Sequence, residues 1–459
     1  MDQYLKKQIE ITDLSTEGHG IGRTGEGRVV ATPYTLPGDN ALVEVYELSK
    51  GILHGELIEV STPSPARCPH PCAHYLEGCP ASRLGAYSYN EALAWKRRNL
   101  SETLRRMGNI EIVVPPVVAS PLQWGYRERI DLGIEASMEI MRVGYQTEQK
   151  LIPIRDCQLA DSVVREMLRR FVGRITDPVE LSLTSNLHGV KGTFGRILFR
   201  ANGRGGVVVV LFLNADRENV APALAKVLSD LELAGWEIRI TDSLSARAYL
   251  SKVWRQEGNS AVTINWSGGS AAASALSFSQ VNKGVAELIA FEISSHITPS
   301  TSVLDLYGGW GLFGMAAAAG GAEVLVVDVD EESIRTGESL ALKAGLEVRF
   351  KRGDLNLASD WRDLPSNAEA CIVDPPRRGL GGAAIQWLNR HGAAKLIYVS
   401  CHPAALARDV QALSSYRIDS VKPFDMFPQT PDLETVTVLV RNTPKARHSR
   451  AGGNPGMSL

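Results

Sequence analysis

The sequence predicts an α/β protein in three parts: a small OB-like β-barrel at the N-terminus, a central α/β region holding clustered cysteines, and a C-terminal doubly wound sheet. Three observations predict it. QIEITDL, GRVVATP, NALVEVYEL and ILHGELIEV are short β-rich runs broken by the Gly18/Gly20/Gly22 loop and the Pro37-Gly38-Asp39-Asn40 turn. Cys68, Cys72 and Cys79 then fall close together. From about Phe278, the apolar strands VLDLY, EVLVVDV, LEVRF, ACIVD and KLIYVS alternate with helix-length segments, the pattern of a parallel sheet covered on both faces. A chain of 459 residues with 44% hydrophobic content suits several packed domains. The boundaries expected are 1–62 for the barrel, 63–275 for the central domain, 276–442 for the doubly wound domain and 443–459 for a disordered basic tail.

Charge narrows the partners. Lys plus Arg total 49 against 51 Asp plus Glu, a net of −2, so no overall basic character argues for nucleic acid. Local basic stretches do exist. A helix expected over about Tyr89–Met107 carries Lys96, Arg97, Arg98, Arg105 and Arg106, and Asn186–Gly205 carries Lys191, Arg196, Arg200 and Arg204 with no acid. The N-terminus has no apolar leader and no stretch approaches membrane-spanning length, so a cytoplasmic protein without a membrane partner is expected. Six cysteines are too few for a disulfide scaffold and read better as ligands or catalysts.

The C-terminal motifs carry chemistry. After VLDLY, residues Gly309, Gly311 and Gly314 fit G-x-G-x-x-G before an Ala-rich helix, where backbone N–H groups can approach a ligand. Asp305 lies within that strand, and Asp330 just past the next, suited to accept ribose hydroxyls. This leaves a dinucleotide and S-adenosyl-L-methionine both open. Asp374-Pro375-Pro376-Arg377 follows a strand end, a loop that recurs in methyltransferases acting on planar nitrogen or nucleobases. Cys401 ends the strand KLIYVS and reads as a nucleophile at the sheet edge, while Cys371 reads as a core thiol. Glu434 begins the run TVTVLVR. Methylation of uracil C5 needs a thiolate adding to C6, a carboxylate holding the polar edge of the ring, a base removing the C5 proton and a bound methyl donor. Cys401, Asp374 and Glu434 fit those slots.

These motifs resemble the RNA uridine-C5 methyltransferases over nearly the whole chain. The barrel is similar to a TRAM domain through its E-G-x-G-x-G loop and the turn at Leu36–Asp39, and the C-terminal part to a Rossmann-like class I methyltransferase domain. The resemblance implies S-adenosyl-L-methionine as cofactor, bound by Gln280 of Phe278-Ser279-Gln280-Val281-Asn282 with Tyr307, Gly309, Gly311, Asp330, Asp354 and Asp374. It implies Cys401, in Ser400-Cys401-His402-Pro403 through Asp409, as nucleophile and Glu434 as proton acceptor, with Asp374 and Arg377 on the substrate. The chain departs from the family at Leu312, often Asn, and at Asp432, often His. The resemblance also implies Cys68, Cys72, Cys79 and Cys157 as ligands of a [4Fe–4S] cluster. The spacing C-x3-C-x6-C is unusual and leaves zinc possible, with His70 and His74 read as surface residues.

The partner expected is RNA, gripped by the barrel and the basic stretches, with 23S ribosomal RNA favoured over a transfer-RNA T-loop and no obligate protein partner. Cytosine-C5 methylation fits less well, because Asp374 stands where such enzymes place a cysteine beside the Pro loop. An RNA-binding or iron–sulfur module without catalysis is the non-enzyme alternative.

Overall fold

A computed structural model describes residues 5–49, 52–137, 140–147, 150–176, 192–244, 251–266 and 268–442. The expected tail at 443–459 and Lys191 lie outside the described residues. Among them no helix is long and apolar enough to cross a membrane.

Strands Leu5–Leu14, Gly20–Arg23, Val29–Thr32, Asn40–Ser49 and Ile52–Thr62 close into a five-stranded barrel. Alternation along the strands sends Ile9, Ile11, Val30, Ala41, Val43 and Val45 inward. The Pro-Gly-Asp turn earns its acid: Asp39 is fully buried, accepts the N–H groups of Leu36 and Ser64, and pairs with Arg67 of the following linker. The barrel is thereby tied to the chain that leaves it.

The central sheet has seven strands, in the order Lys252–Gly258, Gly235–Thr241, Val207–Asn214, Gly192–Ala201, Arg129–Ser137, Ile140–Gln146 and Leu151–Pro153. Val207–Leu213 is apolar at every position because both of its faces are covered. Val207, Val209 and Leu211 pack with helices Ser162–Ile175 and Ala221–Ser229. Val208, Val210 and Phe212 meet the hairpin Ala261–Trp266/Gly269–Ser274, and through it Trp310, Met315 and Leu340 of the C-terminal domain.

The C-terminal sheet runs Val348–Arg352, Glu323–Asp328, Ser302–Leu306, Ala370–Val373, Lys395–Ser400, Glu434–Arg441, Tyr416–Phe424. The first five strands are parallel, and Glu434–Arg441 is antiparallel to both of its neighbours. Helices Lys283–Ser295 and Leu312–Ala319 cover one face. Gly382–His391 and Pro403–Ala412 cover the other, joined by Tyr89–Gly108, whose Leu100 and Leu104 share a core with Leu406 and Ala407.

Two basic residues expected on an RNA face are structural instead. Lys96 is 1% exposed, pairs with Asp425 at 2.5 Å and donates to the carbonyls of Phe427 and Asp432. Arg200 is 3% exposed and donates to the carbonyls of Ala275 and Ser277 and to Ser279 Oγ. A buried cation survives only when its donors are all met, which is what these contacts accomplish. Arg196 likewise pairs with Asp131 at 2.9 Å, and Arg105 and Arg106 pair with Glu102 of their own helix.

Candidate active site

The carboxyl edge of the C-terminal sheet gathers the functional side chains. Strand Ser302–Leu306 passes into Tyr307 and the glycine loop, where Tyr307 and Gly311 take left-handed φ values of 61° and 83°. Only glycine adopts such a φ without a steric penalty, so Gly311 is where the loop can turn into its helix. Gly314 answers a different need. A Cβ there would lie 2.8 Å from Asp305 Oδ2, the atom to which the Gly314 N–H donates. The other oxygen of Asp305 is buried without a hydrogen-bond partner among the described residues. Burial pushes the Asp305 carboxyl up to about 7.

Asp328, the last residue of strand Glu323–Asp328, accepts the N–H groups of Gly309 and Asp330 at 2.9 and 2.8 Å, and burial raises its pKa. Asp330, expected to take the ribose, caps helix Glu331–Ala344 instead, and one of its oxygens is taken by both Ser333 N and Ser333 Oγ. Asp330 lies just past the strand, as the sequence has it, and the acid at the strand end is Asp328. Asp354 follows the next strand and accepts from Asn356, and Gln280 Nε2 donates to Asp374 Oδ2 at 3.4 Å. Gln280 is steadied from behind. Arg200 fixes the chain entering its loop, and Asn282 caps helix Lys283–Ser295 while donating to Ser120 Oγ.

Asp374 leaves strand Ala370–Val373 with its pKa pushed up to about 8, first by burial and then by the charges of Asp305 and Asp328. Its loop is pinned by the end of the Ser400–Asp409 motif. Asp409, 2% exposed, accepts the Leu380 N–H and the Tyr398 hydroxyl, and Arg408 donates to the Arg378 carbonyl. Cys401 is half-buried just past strand Lys395–Ser400. The antiparallel register, Ser400 facing Thr435, brings Glu434 level with it. Burial pushes the Cys401 thiol up to about 12, helped by the negative charges of Glu434 and Asp374 and opposed by Arg377. Glu434 is 3% exposed, its Oε1 lacks a partner among the described residues, and burial followed by Asp374 raises its pKa well above the usual range. Arg377 itself pairs with Asp432 at 3.1 Å across the mouth of the site.

The result is a half-enclosed thiol beside a group of carboxyl groups whose burial, and then mutual repulsion, favours the proton-bound form. Arg377 offsets only part of that, and a cationic, nucleoside-bearing ligand would supply the rest. The residues therefore fit S-adenosyl-L-methionine. The sequence alone left out Asp328 and took Arg200 and Lys96 for surface charge; the signals were a strand-end carboxylate and two basic residues within otherwise apolar or amphipathic elements.

The four cysteines do not form the expected ligand set. The Cys68 backbone bonds Ala86 and its sulfur faces the Gly85 carbonyl at 3.8 Å. The Cys72 sulfur lies 3.5 Å from His74 Nδ1, and the Cys157 sulfur 3.3 Å from the Tyr145 hydroxyl. Cys79 is buried, and burial pushes its thiol up to about 12. Cys72, Cys79 and Cys157 lie near enough for the charge of Cys157 to raise Cys72 and for the charges of Cys157 and Cys72 to raise Cys79, but among the described residues no three His, Cys, Asp or Glu side chains are grouped to hold a metal ion, so the structure does not support a [4Fe–4S] cluster or a four-ligand zinc. His74 is buried and accepts the Arg155 N–H, and His70 stacks on Tyr75; neither is a free surface residue. Cys371 lies wholly within the sheet core.

Comparison with known proteins follows the same outline. Residues 6–58 match the TRAM domain family and residues 356–442 match the family described as tRNA (Uracil-5-)-methyltransferase. An uncharacterised RNA methyltransferase of Geobacter sulfurreducens is 28% identical, covering 95% of this chain and 90% of that protein. Another, from Listeria innocua, is 26% identical over 94% and 97% of the two chains. The crystal structure of Pyrococcus abyssi tRNA (uracil-54, C5)-methyltransferase in complex with S-adenosyl-L-homocysteine superposes with a TM-score of 0.74 at 25% identity, covering 94% of this chain and 99% of that one.

Proposed function

Because the chain joins a TRAM domain to a (uracil-5-)-methyltransferase domain and fits the RNA uridine-C5 methyltransferase family, we propose that it methylates C5 of a uridine in a structured RNA with S-adenosyl-L-methionine. The observation that carries this reading is the pairing of Cys401 with Glu434 at a sheet edge crowded with carboxylates. Gln280, Tyr307, Gly309, Gly311, Asp328, Asp354 and Asp374 would hold the cofactor, which supplies an electrophilic methyl group when bound. The Cys401 thiolate adds to uracil C6, and the electron pair moved to C5 takes up the methyl group. Glu434 then accepts the C5 proton, and the C6–S bond breaks to return the thiolate and restore the ring. A positive charge bound among Asp305, Asp328 and Asp374 would lower the Cys401 pKa and so favour the thiolate. Asp374 accepts from the ring N3–H, and Arg377, released from Asp432, reaches the RNA. A base inside a folded RNA must be extruded to reach this pocket. No step is routed through Cys68, Cys72, Cys79 or Cys157.

The TRAM barrel ahead of the catalytic domain supports a large structured substrate, with 23S ribosomal RNA first. The likeness to the Pyrococcus abyssi protein favours a second reading, a transfer-RNA T-loop uridine. Incubating purified protein and S-adenosyl-L-methionine with unmodified ribosomal and transfer RNA, then mapping 5-methyluridine, tests both. Label confined to the T-loop would replace the first reading, and label in neither would overturn the function.

A further inference from the structure

The C-terminal domain carries a second groove, of about 410 Å³, that no part of the proposed reaction uses. It lies between helix Gly382–His391 and the connection that follows Asp354. Trp361 and Trp387 form its floor with ring centroids 5.3 Å apart, and His391 continues the aromatic surface 6.1 Å from Trp387. Arg362 and Arg390 stand exposed on its rims, and neither guanidinium makes an ion pair among the described residues. No Asp or Glu lines it, in a chain with more acids than bases. The helix begins just after the Arg377–Leu380 loop, and ten helical residues span about 15 Å, so the groove leads away from the catalytic edge.

We propose that this groove is an RNA exosite, taking an unpaired nucleotide outside the target uridine, with its base stacked on Trp387 and its phosphates on Arg362 and Arg390. Aromatic surface with flanking guanidinium groups is the chemistry that holds single-stranded nucleic acid without reading sequence. An acidic peptide would use the two arginines but would leave the aromatic floor without a planar partner. The inference rests on the RNA reading of this protein and adds a second contact to it.

The test uses the full chain and fluorescein-labelled octaadenylate, followed by anisotropy from 50 to 200 mM KCl, with methyl transfer to RNA measured in parallel. R362Q/R390Q is expected to weaken binding about ten-fold and to flatten the plot of log affinity against log salt by about 1.4, the share of two phosphates on a single strand. Trp387→Ala is expected to weaken binding about ten-fold while Trp387→Phe retains most of it, which separates stacking from loss of fold. Unchanged affinity and salt slope in R362Q/R390Q would overturn the exosite, even where wild-type protein methylates RNA. Displacement by hexaglutamate that is equally sensitive to Trp387→Ala would also overturn it, in favour of an acidic peptide. The expected losses of octaadenylate binding would uphold the exosite even if no RNA were methylated, so its failure and that of the proposed function are distinguishable.

Discussion

Replacing Lys96 by Met separates a structural cation from an RNA contact. All three donors of the ammonium are used: Asp425 Oδ1 at 2.5 Å, the Asp432 carbonyl at 2.7 Å and the Phe427 carbonyl at 3.0 Å. Asp425 is fully buried, and its other oxygen accepts the Tyr89 hydroxyl at 2.8 Å. Met fills a similar volume but strands one carboxylate and two carbonyls. Breaking a buried pair from one side costs about 3–5 kcal/mol, most of it the uncompensated charge. K96M/D425N removes that charge, so the double variant is expected to be less destabilised than the sum of the singles. Urea unfolding followed by tryptophan fluorescence measures this, with Trp95 buried on the same helix as a local reporter. Methyl transfer should fall too, because the ammonium holds the segment leading to Glu434. A loss under about 1 kcal/mol, together with a shallower salt dependence of RNA binding, would refute the structural assignment and restore Lys96 to an RNA face.

Three further outcomes follow from the same geometry. Once Glu434 ionises at alkaline pH, its charge is what most disfavours the Cys401 thiolate after burial itself, so in that range iodoacetamide should alkylate Cys401 faster in Glu434→Gln than in wild type; an equal or slower rate there would contradict the electrostatics. Asp305 and Asp374 are raised from 3.8 to about 7 and about 8, so their contribution to stability is present below about pH 4 and lost as pH rises through 7 to 8. The urea midpoint of the free protein should therefore fall across that window and fall less in Asp305→Asn, while S-adenosyl-L-methionine affinity should rise with pH; a flat profile in both would count against the crowded carboxylates. Gly314→Ala puts a methyl group 2.8 Å from Asp305 Oδ2 and 3.0 Å from Val324 and Val326, an overpacking of about 1–3 kcal/mol. Calorimetry should show cofactor affinity reduced at least ten-fold, and unchanged affinity would mean the loop relaxes without consequence.

Much of this arrangement was legible in local sequence. The short β-rich runs QIEITDL, GRVVATP, NALVEVYEL and ILHGELIEV all fall on strands of the barrel, and VLDLY, EVLVVDV, LEVRF, ACIVD and KLIYVS on the parallel strands of the C-terminal sheet. The chemical order of the glycine loop, Asp374, Cys401 and Glu434 survives because each follows or begins a strand of one sheet, and parallel strands deliver their ends to a common edge. What escaped depends on long-range contacts. Lys96 and Arg200 read as surface charge because their partners lie 329 and 75 or more positions away. Asp328 and Asp330 differ by two residues, and only the strand end and the helix cap tell them apart. The cysteine spacing marked which thiols are near in sequence but not where each sulfur points. Cys72, Cys79 and Cys157 do come near one another, while the sulfurs of Cys68, Cys72 and Cys157 face Gly85, His74 and Tyr145.

In the proposed reaction Cys401 attacks a uracil ring and Glu434 removes its C5 proton. Incubation with S-adenosyl-L-methionine and 5-fluorouridine RNA, whose C5 bears no removable proton, tests it by denaturing electrophoresis and peptide mass spectrometry. The expected result is a methylated, covalent protein–RNA adduct mapped to Cys401 in wild type, none in Cys401→Ala, and accumulation of an adduct on ordinary uridine RNA in Glu434→Gln. A wild-type protein that methylates ordinary uridine RNA yet forms no adduct with the fluorinated RNA, or an adduct that persists in Cys401→Ala, would contradict it.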